Sequence, residues 1–203
     1  MASKVLILFA HPALEKSRVN QRLIAAVQNL ENVTINDLYE EYPDFHIHVK
    51  REQELLLSHD VIVFQHPLYW YSCPALLKQW EDFVLQYGFA YGAQGTKLQG
   101  KWALSAITAG GTRSAYGRKG FNFFTIRELL TPFEQTVRLC GMVYLPPFVI
   151  SGTLLTGEAE IAKYAKLYRE VIEGLRDGRF DPAEFQNAMY LDEILQPVSL
   201  TNL

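Results

Sequence analysis

Three consecutive aromatic side chains, at residues 69–71, lie in a loop that has a proline near each end. The loop follows an apolar run at residues 61–64, which is typical of a fully buried strand. Pro67 and Pro74 fix their own φ angles, so they restrict the loop before any ligand binds. Because open parallel sheets bind ligands at the carboxyl ends of their strands, this loop is a candidate wall for a flat aromatic ligand. Packing in the core or at an interface is the alternative explanation.

A second group of polar residues follows the apolar run at residues 5–10. His11 ends that run, and polar or charged side chains recur at Ser17, Arg18 and Asn20. A loop of this kind leads into the amino terminus of a helix, where free N–H groups and the helix dipole favour an anion. The hydroxyl, amide and guanidinium groups of these residues add further donors, which predicts a phosphate site. An ordinary helix N-cap at Ser17 is the alternative explanation.

A pair of glycines follows another predicted strand, at residues 102–108. Gly110 and Gly111 allow the backbone to approach a ligand closely, and their N–H groups can form a concavity that favours negative charge. A simple turn is the alternative explanation. Together the three strand ends offer a phosphate site, an aromatic wall and a row of donors. A flavin mononucleotide is a ligand with the chemistry to use all three.

The elements that must position these loops alternate regularly along the chain. Strands are predicted near residues 5–10, 33–38, 60–65, 102–108 and 143–150, and helices near 17–30, 50–58, 74–86, 126–140 and 157–176. This alternation predicts an α/β fold, a doubly wound parallel sheet of five strands with helices on both faces. Both common strand orders fit it. Residues 1–180 form the predicted domain, and residues 181–203 are predicted to be an arm of the kind that often packs on a partner subunit.

Composition and motif spacing exclude several classes. The 203 residues suit one domain, and a net charge of −3 gives no basic surface for nucleic acid. The first strand–helix loop lacks the GxGxxG fingerprint of Rossmann NAD domains. Residues 95–101 have Walker A spacing, but Trp102 stands where Ser or Thr should bind magnesium, and the segment leads into a strand. No apolar run is long enough to cross a membrane.

The remaining titratable residues give weaker predictions. His46 and His48 have a spacing that suits a metal, but no acidic or cysteine cluster accompanies them, so we predict a solvated loop and no metal site. His59 is predicted to lie at the surface, and Glu52 and Glu54 are predicted to share a solvated helix face. The two cysteines form no CxxC motif, which predicts reduced thiols in a cytosolic protein.

Five motifs give the chain a more specific resemblance. They are AHP with S-x-x-N (residues 10–20), LYEEYPDF (38–45), QHPLYWYSCPALLKQW (65–80), GFAYG (88–92) and TAGG with a following Tyr (108–116). Through them, residues 4–175 resemble the flavodoxin-like NAD(P)H:quinone reductases, the DT-diaphorase family. Within that family the chain looks most like the bacterial ancillary flavoproteins of glutathione-gated potassium efflux systems.

The resemblance implies a flavodoxin-like fold and a set of site residues. With Pro67 of the aromatic loop, the candidate cofactor-binding residues are His11, Ser17, Arg18, Val19, Asn20, Leu68, Tyr69, Trp70, Tyr71, Thr108, Ala109, Gly110 and Gly111. Tyr116 stands at the family's catalytic tyrosine position. Asn122 occupies the position of a family histidine, and Ala109 that of a second threonine, so one proton relay and one hydroxyl are missing.

The resemblance further implies a homodimer with the site at its interface. The expected reaction is ping-pong: NADH or NADPH reduces bound FMN, and a quinone then takes the same slot and is reduced. FAD shares the ring and ribityl parts, so it stays open as the cofactor. A soluble regulatory subunit of a potassium–proton antiporter, at the inner face of the cell membrane, is the alternative function. An azoreductase or an electron-transfer flavodoxin is less favoured.

Overall fold

A parallel β-sheet forms the centre of the molecule, whose computed structural model describes residues 2–180, 185 and 188–194. The strands are β1 (Val5–Phe9), β2 (Val33–Asp37), β3 (Val61–Pro67), β4 (Trp102–Ala109), β5 (Val143–Tyr144) and β6 (Phe148–Ser151). Their order is β2-β1-β3-β4-β5, and β6 also pairs with β4. This is the 2-1-3-4-5 order of flavodoxin-like sheets, so the predicted fold class is confirmed and the strand order is now decided.

The fifth position of the sheet differs from the prediction, which placed one strand at residues 143–150 with the paired prolines inside or at the end of it. Two short strands share this position: β5 pairs with the start of β4, and β6 pairs with its end. Pro146 and Pro147 lie between them, and a proline has no N–H to donate to a strand ladder. The prolines therefore divide the strand, and its second half ends at the carboxyl edge of the sheet beside β4.

Eight α-helices surround the sheet in the described residues. They are α1 (Arg18–Val27), α2 (Leu38–Glu41), α3 (Val49–Ser58), α4 (Ala75–Val84), α5 (Ile126–Leu129), α6 (Thr131–Leu139), α7 (Glu158–Arg176) and α8 (Leu191–Ile194). The single helix predicted at 126–140 is interrupted at Leu130, because Pro132 is accommodated only in the first turn of a new helix. The short helix α2 was not predicted; Asp37 caps it by accepting hydrogen bonds from the backbone N–H groups of Tyr39 and Glu40.

Two apolar clusters cover the two faces of the sheet. Leu8 of β1 belongs to the cluster with α3, α4 and α6, whereas Phe9 belongs to the cluster with α1 and α7. This division follows from the period of two residues along a strand, which sends neighbouring side chains to opposite faces. The predicted helices on both faces are thus confirmed. No helix in the described ranges is long and apolar enough to cross a membrane.

Glu52 does not lie on a solvated helix face, and that prediction was wrong. Its side chain is 0% exposed. The carboxylate accepts hydrogen bonds from Asn36 Nδ2 (2.7 Å), the Tyr42 hydroxyl (2.6 Å) and Trp80 Nε1 (2.7 Å), and it pairs with Arg51. A buried carboxylate is stable when it is paired and hydrogen-bonded in this way. Glu52 therefore joins β2, α3 and α4.

His59 is also buried, contrary to the predicted surface position. Its Nδ1 lies 2.7 Å from the carbonyl of Leu55, and its Nε2 lies 2.8 Å from Thr34 Oγ1. Because a carbonyl only accepts, Nδ1 carries the proton of the neutral ring. Burial lowers the pKa of His59, which keeps it neutral. The ring thus ties the end of α3 to β2.

The described part of the predicted arm packs on the domain itself. The Phe185 ring lies 6.2 Å from that of Trp102, and the Leu191 N–H donates to the Pro147 carbonyl at 3.0 Å. Leu191 is fully buried in the cluster that contains Phe148. Residues 181–184, 186–187 and 195–203 of this segment lie outside the described residues.

Candidate cofactor site

Two neighbouring cavities open where the strands end. The first has a volume of about 510 Å³ and is lined by His11, Ala13, Lys16, Ser17, Arg18, Val19, Asn20, Pro67, Tyr69, Thr108, Gly110, Thr153 and Leu154. The second has a volume of about 380 Å³ and is lined by Leu68, Trp70, Tyr71, Gly111, Ala115, Tyr116, Phe121 and Asn122. Two loops contribute to both cavities: the aromatic loop (residues 67–71) and the glycine pair (110–111). Among the predicted site residues only Ala109, which is buried in β4, lines neither cavity.

The amino terminus of α1 forms one wall of the first cavity. Ser17 Oγ accepts hydrogen bonds from the Asn20 backbone N–H (3.3 Å) and from Asn20 Nδ2 (3.0 Å). The backbone N–H groups of Arg18 and Val19 precede any intrahelical acceptor, so they are donors for an anion at the positive end of the helix dipole. Both predicted properties of this segment, an N-cap and an anion site, are thus compatible with one geometry.

The Arg18 guanidinium contacts two groups that lie outside the first cavity. Its guanidinium donates to the Thr156 carbonyl at 2.7 Å and pairs with Glu158 at 3.3 Å. Much of its charge is therefore directed to the segment after β6. Lys16, which the sequence did not single out, also lines the cavity and adds a second positive charge there.

His11 lines the first cavity with a neutral ring. The backbone N–H of Ala13 donates to His11 Nδ1 at 3.1 Å, so the neutral ring carries its proton on Nε2. Burial is the main cause that lowers the pKa of His11, and the ring meets Tyr69 edge-on at 5.9 Å between centroids. The ring is thus a fixed neutral donor beside the aromatic loop.

A chain of buried hydrogen bonds lies beneath the first cavity. Asn20 Nδ2 donates to Thr108 Oγ1 at 3.0 Å, and Gln65 Nε2 donates to Asn20 Oδ1 at 3.4 Å. The Tyr168 hydroxyl donates to Gln65 Oε1 at 2.7 Å. Neither Gln65 nor Tyr168 was predicted to belong to the site. Gln65 was recognisable as a polar residue ending an apolar strand, whereas nothing distinguishes Tyr168 from other apolar positions of α7.

The paired glycines lie in close contact with two side chains. A Cβ on Gly110 would lie 3.2 Å from Leu154 Cδ1, and a Cβ on Gly111 would lie 3.1 Å from the Tyr116 ring. Larger residues would push both neighbours away. The glycines therefore let Leu154 approach the backbone at the first cavity and let the Tyr116 ring approach it at the second.

The segment after β6 was not predicted to be part of the site. The Thr153 backbone N–H and hydroxyl both donate to the Ala109 carbonyl, at 3.1 and 3.2 Å. Gly152 N–H donates to the Gly111 carbonyl at 2.8 Å. These bonds hold Thr153 against the glycine pair. If the predicted fifth strand had been divided at its prolines, the end of its second half, next to Thr153, would have been recognised as a further strand end.

The aromatic loop has a strained backbone. Trp70 and Tyr71 have φ angles of 47° and 64°, a left-handed backbone conformation that residues other than glycine rarely adopt. Hydrogen bonds between Tyr69 and Ser72, at 3.0 and 3.2 Å, close the turn. Trp70 is 92% exposed. Because local strain of this kind concentrates at functional sites, the turn favours ligand contact over simple core packing.

The second cavity joins the aromatic loop to Tyr116. The Tyr71 hydroxyl donates to Asn122 Oδ1 at 3.2 Å, and Asn122 N–H donates to the Ala115 carbonyl at 2.8 Å. Burial raises the pKa of Tyr116, so its hydroxyl stays protonated at neutral pH. The geometry thus provides a neutral phenol facing a wall of aromatic side chains.

The donor set fits a phosphate-bearing aromatic cofactor. The first cavity supplies helix amides, hydroxyls and positive charge, and the second supplies rings with a phenol. Gly110 lines the first cavity and Gly111 the second, so the glycine pair lies where the two cavities are adjacent.

Comparison with known proteins identifies the family of this chain. The sequence profile described as the flavodoxin-like fold matches residues 3–173. The chain belongs to the flavodoxin-like family. The glutathione-regulated potassium-efflux system ancillary protein KefG of Enterobacter sp. (strain 638) is 48% identical over 168 residues, which cover 83% of this chain and 92% of that protein.

Two solved structures of flavodoxin-like proteins are similar to the chain. General stress protein 14 from Treponema denticola, in complex with FMN, is 39% identical, with a TM-score of 0.80 over 85% of this chain and 99% of that one. An NADPH-quinone reductase from P. pentosaceus is 36% identical, with a TM-score of 0.76 over 83% of this chain and 96% of that one. The predicted resemblance is therefore confirmed.

Other candidate groups of this flavodoxin-like chain lie apart from the two cavities. Cys73 and Cys140 are free thiols, and burial raises the pKa of each to about 11. The exposed rings of His46 and His48 are 5.5 Å apart. Within the described ranges, no three His, Cys, Asp or Glu side chains are grouped so that they could hold a metal ion.

Proposed function

We propose that the protein is an FMN-dependent NAD(P)H oxidoreductase that reduces quinones. The observation that carries this proposal is that a phosphate-fitting cavity and an aromatic cavity share the loops at residues 67–71 and 110–111. The FMN complex of general stress protein 14 and the name of the NADPH-quinone reductase support the cofactor and the acceptor class. FMN is the first choice, and NADPH and NADH are both candidate donors.

The first cavity would hold the phosphate and sugar chain. The backbone N–H groups of Arg18 and Val19, the Ser17 hydroxyl and His11 Nε2–H are the donors, with Asn20 and Thr108 fixed behind them. Lys16 offsets the negative charge of the phosphate. Flavin, when bound, supplies the chemistry of accepting hydride from NAD(P)H and passing it to the acceptor.

The second cavity would hold the rings. Leu68, Trp70 and Tyr71 provide apolar and aromatic contact. The backbone N–H groups of Gly110 and Gly111 are preorganised donors for negative charge at a ring edge. Ala109 contributes indirectly, because its carbonyl fixes Thr153.

Tyr116 would act on the acceptor. Its raised pKa keeps the hydroxyl protonated, so it can donate a hydrogen bond or a proton to a quinone oxygen. Asn122 cannot relay a proton as a histidine would, because an amide has no titration near neutral pH. It instead holds the Tyr71 hydroxyl at the rim of the cavity.

Initial-rate kinetics test whether donor and acceptor share one slot. Rates measured against NADPH at several fixed quinone concentrations should give parallel reciprocal lines, as a ping-pong mechanism requires. Intersecting lines would contradict a shared slot. The same protein reconstituted with FMN and with FAD would show which cofactor supports turnover.

A regulatory role is the second candidate function. The KefG relative is named as an ancillary protein of a potassium-efflux system, so this chain is a candidate soluble subunit of a membrane potassium–proton antiporter, located in the cytoplasm at the inner face of the membrane. Co-purification with such an antiporter would support it. Flavin that binds but is not reduced by NAD(P)H would favour this role over the enzymatic one.

We also propose that a second copy of the chain covers the rim of the second cavity, as a homodimer. Trp70 and Phe121 line that rim and are 92% and 93% exposed. Large apolar side chains grouped at one place often mark an interface. Sedimentation of the purified protein would show a dimer, and replacing Phe121 with Ser should shift it toward the monomer.

A further inference from the structure

Arg113, three residues before Tyr116, is held by the C-terminal part of the chain. It lies in a single 3-10 turn, Arg113–Ala115. Its guanidinium donates to Asp192 Oδ2 at 2.7 Å, and its Cζ lies 4.3 Å from the centre of the Tyr190 ring. One carboxylate and one ring face thus hold the same guanidinium, by charge-assisted hydrogen bonding and by a cation–π contact. We call Arg113, Tyr190 and Asp192 the clamp.

The clamp is anchored to the sheet. Leu191, between its two C-terminal members, is fully buried, and its N–H donates to the Pro147 carbonyl at 3.0 Å. Tyr190 is buried as well. Residues on both sides of such an anchor have little freedom to move. The clamp therefore connects Arg113 to the segment between β5 and β6 and restricts its movement.

Backbone hydrogen bonds connect Arg113 to the second cavity. Tyr116 N–H donates to the Arg113 carbonyl at 3.1 Å, and Asn122 N–H donates to the Ala115 carbonyl at 2.8 Å. The Tyr116 ring also packs against Gly111. A displacement of Arg113 would therefore move both polar groups that face the aromatic loop.

Core packing does not by itself fix Arg113. A third cavity of about 440 Å³ lies beside it, lined also by Ser151, Glu160, Tyr164 and Asp192. This cavity is open to solvent, and the Arg113 side chain is 48% exposed. Arg113 and Asp192 both line this cavity, so their ion pair holds the guanidinium where core packing does not surround it.

The clamp also lies partly outside the shared part of the family. The flavodoxin-like profile ends at residue 173, whereas Tyr190 and Asp192 follow it. We propose that Arg113 is a positioning residue through which this C-terminal segment orients Tyr116 and Asn122 for the acceptor. The effect on the acceptor rests on the proposed quinone reduction; the effect on the loop does not.

Asp192→Asn tests the clamp, because it removes the charge with little change of shape. The KM for the quinone should rise about tenfold, as expected for a small displacement in a reacting site, while flavin content and flavin reduction by NADPH stay unchanged. Asp192→Glu keeps the negative charge, so its KM for the quinone should be close to that of the wild type. Asp177→Asn is the matched control, since Asp177 forms an ion pair with Arg176 at the end of α7 and has no contact with the clamp.

Hydrogen exchange provides a readout that does not need quinone turnover. In Asp192→Asn, the backbone amides of Ala115, Tyr116 and Asn122 should exchange about tenfold faster, whereas the control should match the wild type. Exchange rates within twofold of the wild type at all three amides would contradict the proposal that the clamp positions Tyr116 and Asn122. If the wild type binds flavin but reduces no quinone, the proposed function fails, and the exchange rates alone decide the inference.

Discussion

Asn20 Nδ2 and Thr108 Oγ1 lie 3.0 Å apart, so one hydrogen bond joins the first turn of α1 to the end of β4. Asn20 belongs to the phosphate end of the proposed site, and Thr108 to the end nearest the glycine pair. Both side chains are buried. The bond therefore fixes the spacing between two parts of the site that are 88 residues apart in the chain.

Thr108→Val should weaken both the fold and flavin binding. Valine keeps the shape but leaves a donor of Asn20 without its acceptor, which costs about 1–3 kcal/mol of unfolding free energy. Urea denaturation and FMN titration measure the two effects. Thr136→Val, which replaces a half-buried threonine of α6 away from the site, should change neither by a comparable amount. Equal effects of the two substitutions would contradict the role of the bond.

Tyr116→Phe should separate the two half-reactions. Loss of the hydroxyl removes a positioned acid or hydrogen-bond donor, so kcat with quinone should fall by about a hundredfold. Reduction of bound flavin by NADPH should be unaffected. Stopped-flow absorbance follows each half-reaction separately. Tyr87→Phe, at an exposed tyrosine outside both cavities, is the control, and a slower NADPH step in Tyr116→Phe would refute an acceptor-specific role.

Trp70→Gly should stabilise the fold while impairing the site. A left-handed φ of 47° costs roughly 1 kcal/mol or more for a side chain such as Trp, and glycine relieves that cost. The lost ring should weaken binding of flavin or quinone. Thermal unfolding and ligand titration test this pair of opposite changes. Asn32→Gly, also at positive φ but remote from the site, should leave binding unchanged.

Glu81→Gln should change how stability depends on pH. Burial raises the pKa of Glu81 from 4.5 to about 7, so the folded protein holds a proton that the unfolded chain releases in this interval. The protonated Glu81 therefore contributes fully to the free energy of unfolding of the wild type below pH 4.5, and this contribution is lost as the pH rises through 7. The free energy of unfolding of Glu81→Gln, relative to that of the wild type, should therefore rise by about 3 kcal/mol between pH 4.5 and 7.

Comparison with the wild type at each pH isolates this effect from His66. Full burial lowers the pKa of His66 to about 4, so His66 acts in the opposite direction, destabilising the protein as the pH falls below 6.5. His66 is present in both proteins and cancels in the difference. A difference between Glu81→Gln and wild type that stays constant from pH 4.5 to 7 would show that Glu81 titrates normally.

Glu52→Gln should destabilise the protein by about 3 kcal/mol, because it leaves donors of Asn36, Tyr42 and Trp80 and the charge of Arg51 without a carboxylate. Glu54→Gln, at an exposed position on the same helix, is the matched control and should have little effect. Chemical denaturation compares the two. A small effect at Glu52 would mean that neighbouring groups replace its hydrogen bonds.

The order of strands and helices was largely predictable because it depends on local patterns. Apolar runs and helical periodicity locate the main strands and helices. The breaks at Leu130 and at the paired prolines required attention to single residues, since a long apolar pattern conceals them. Burial of Glu52 was not predictable, because its partners come from β2 and α4, which only the folded chain brings together.

The candidate site was predictable where it follows strand ends. His11, Tyr69 and Gly110 were all proposed from their positions after apolar runs, and the structure places them around one cavity. Tyr168 and Asp192 were not predictable in this way. Their roles depend on contacts made across more than 70 residues of sequence, with Gln65 and Arg113.

The most direct test of the proposed function is an absorbance spectrum of the purified protein, taken before and after anaerobic addition of NADPH and then quinone. The proposal predicts visible flavin bands that bleach with NADPH and return with quinone. Absence of flavin after reconstitution with both FMN and FAD would contradict it, and bands that NADPH does not bleach would contradict the enzymatic role.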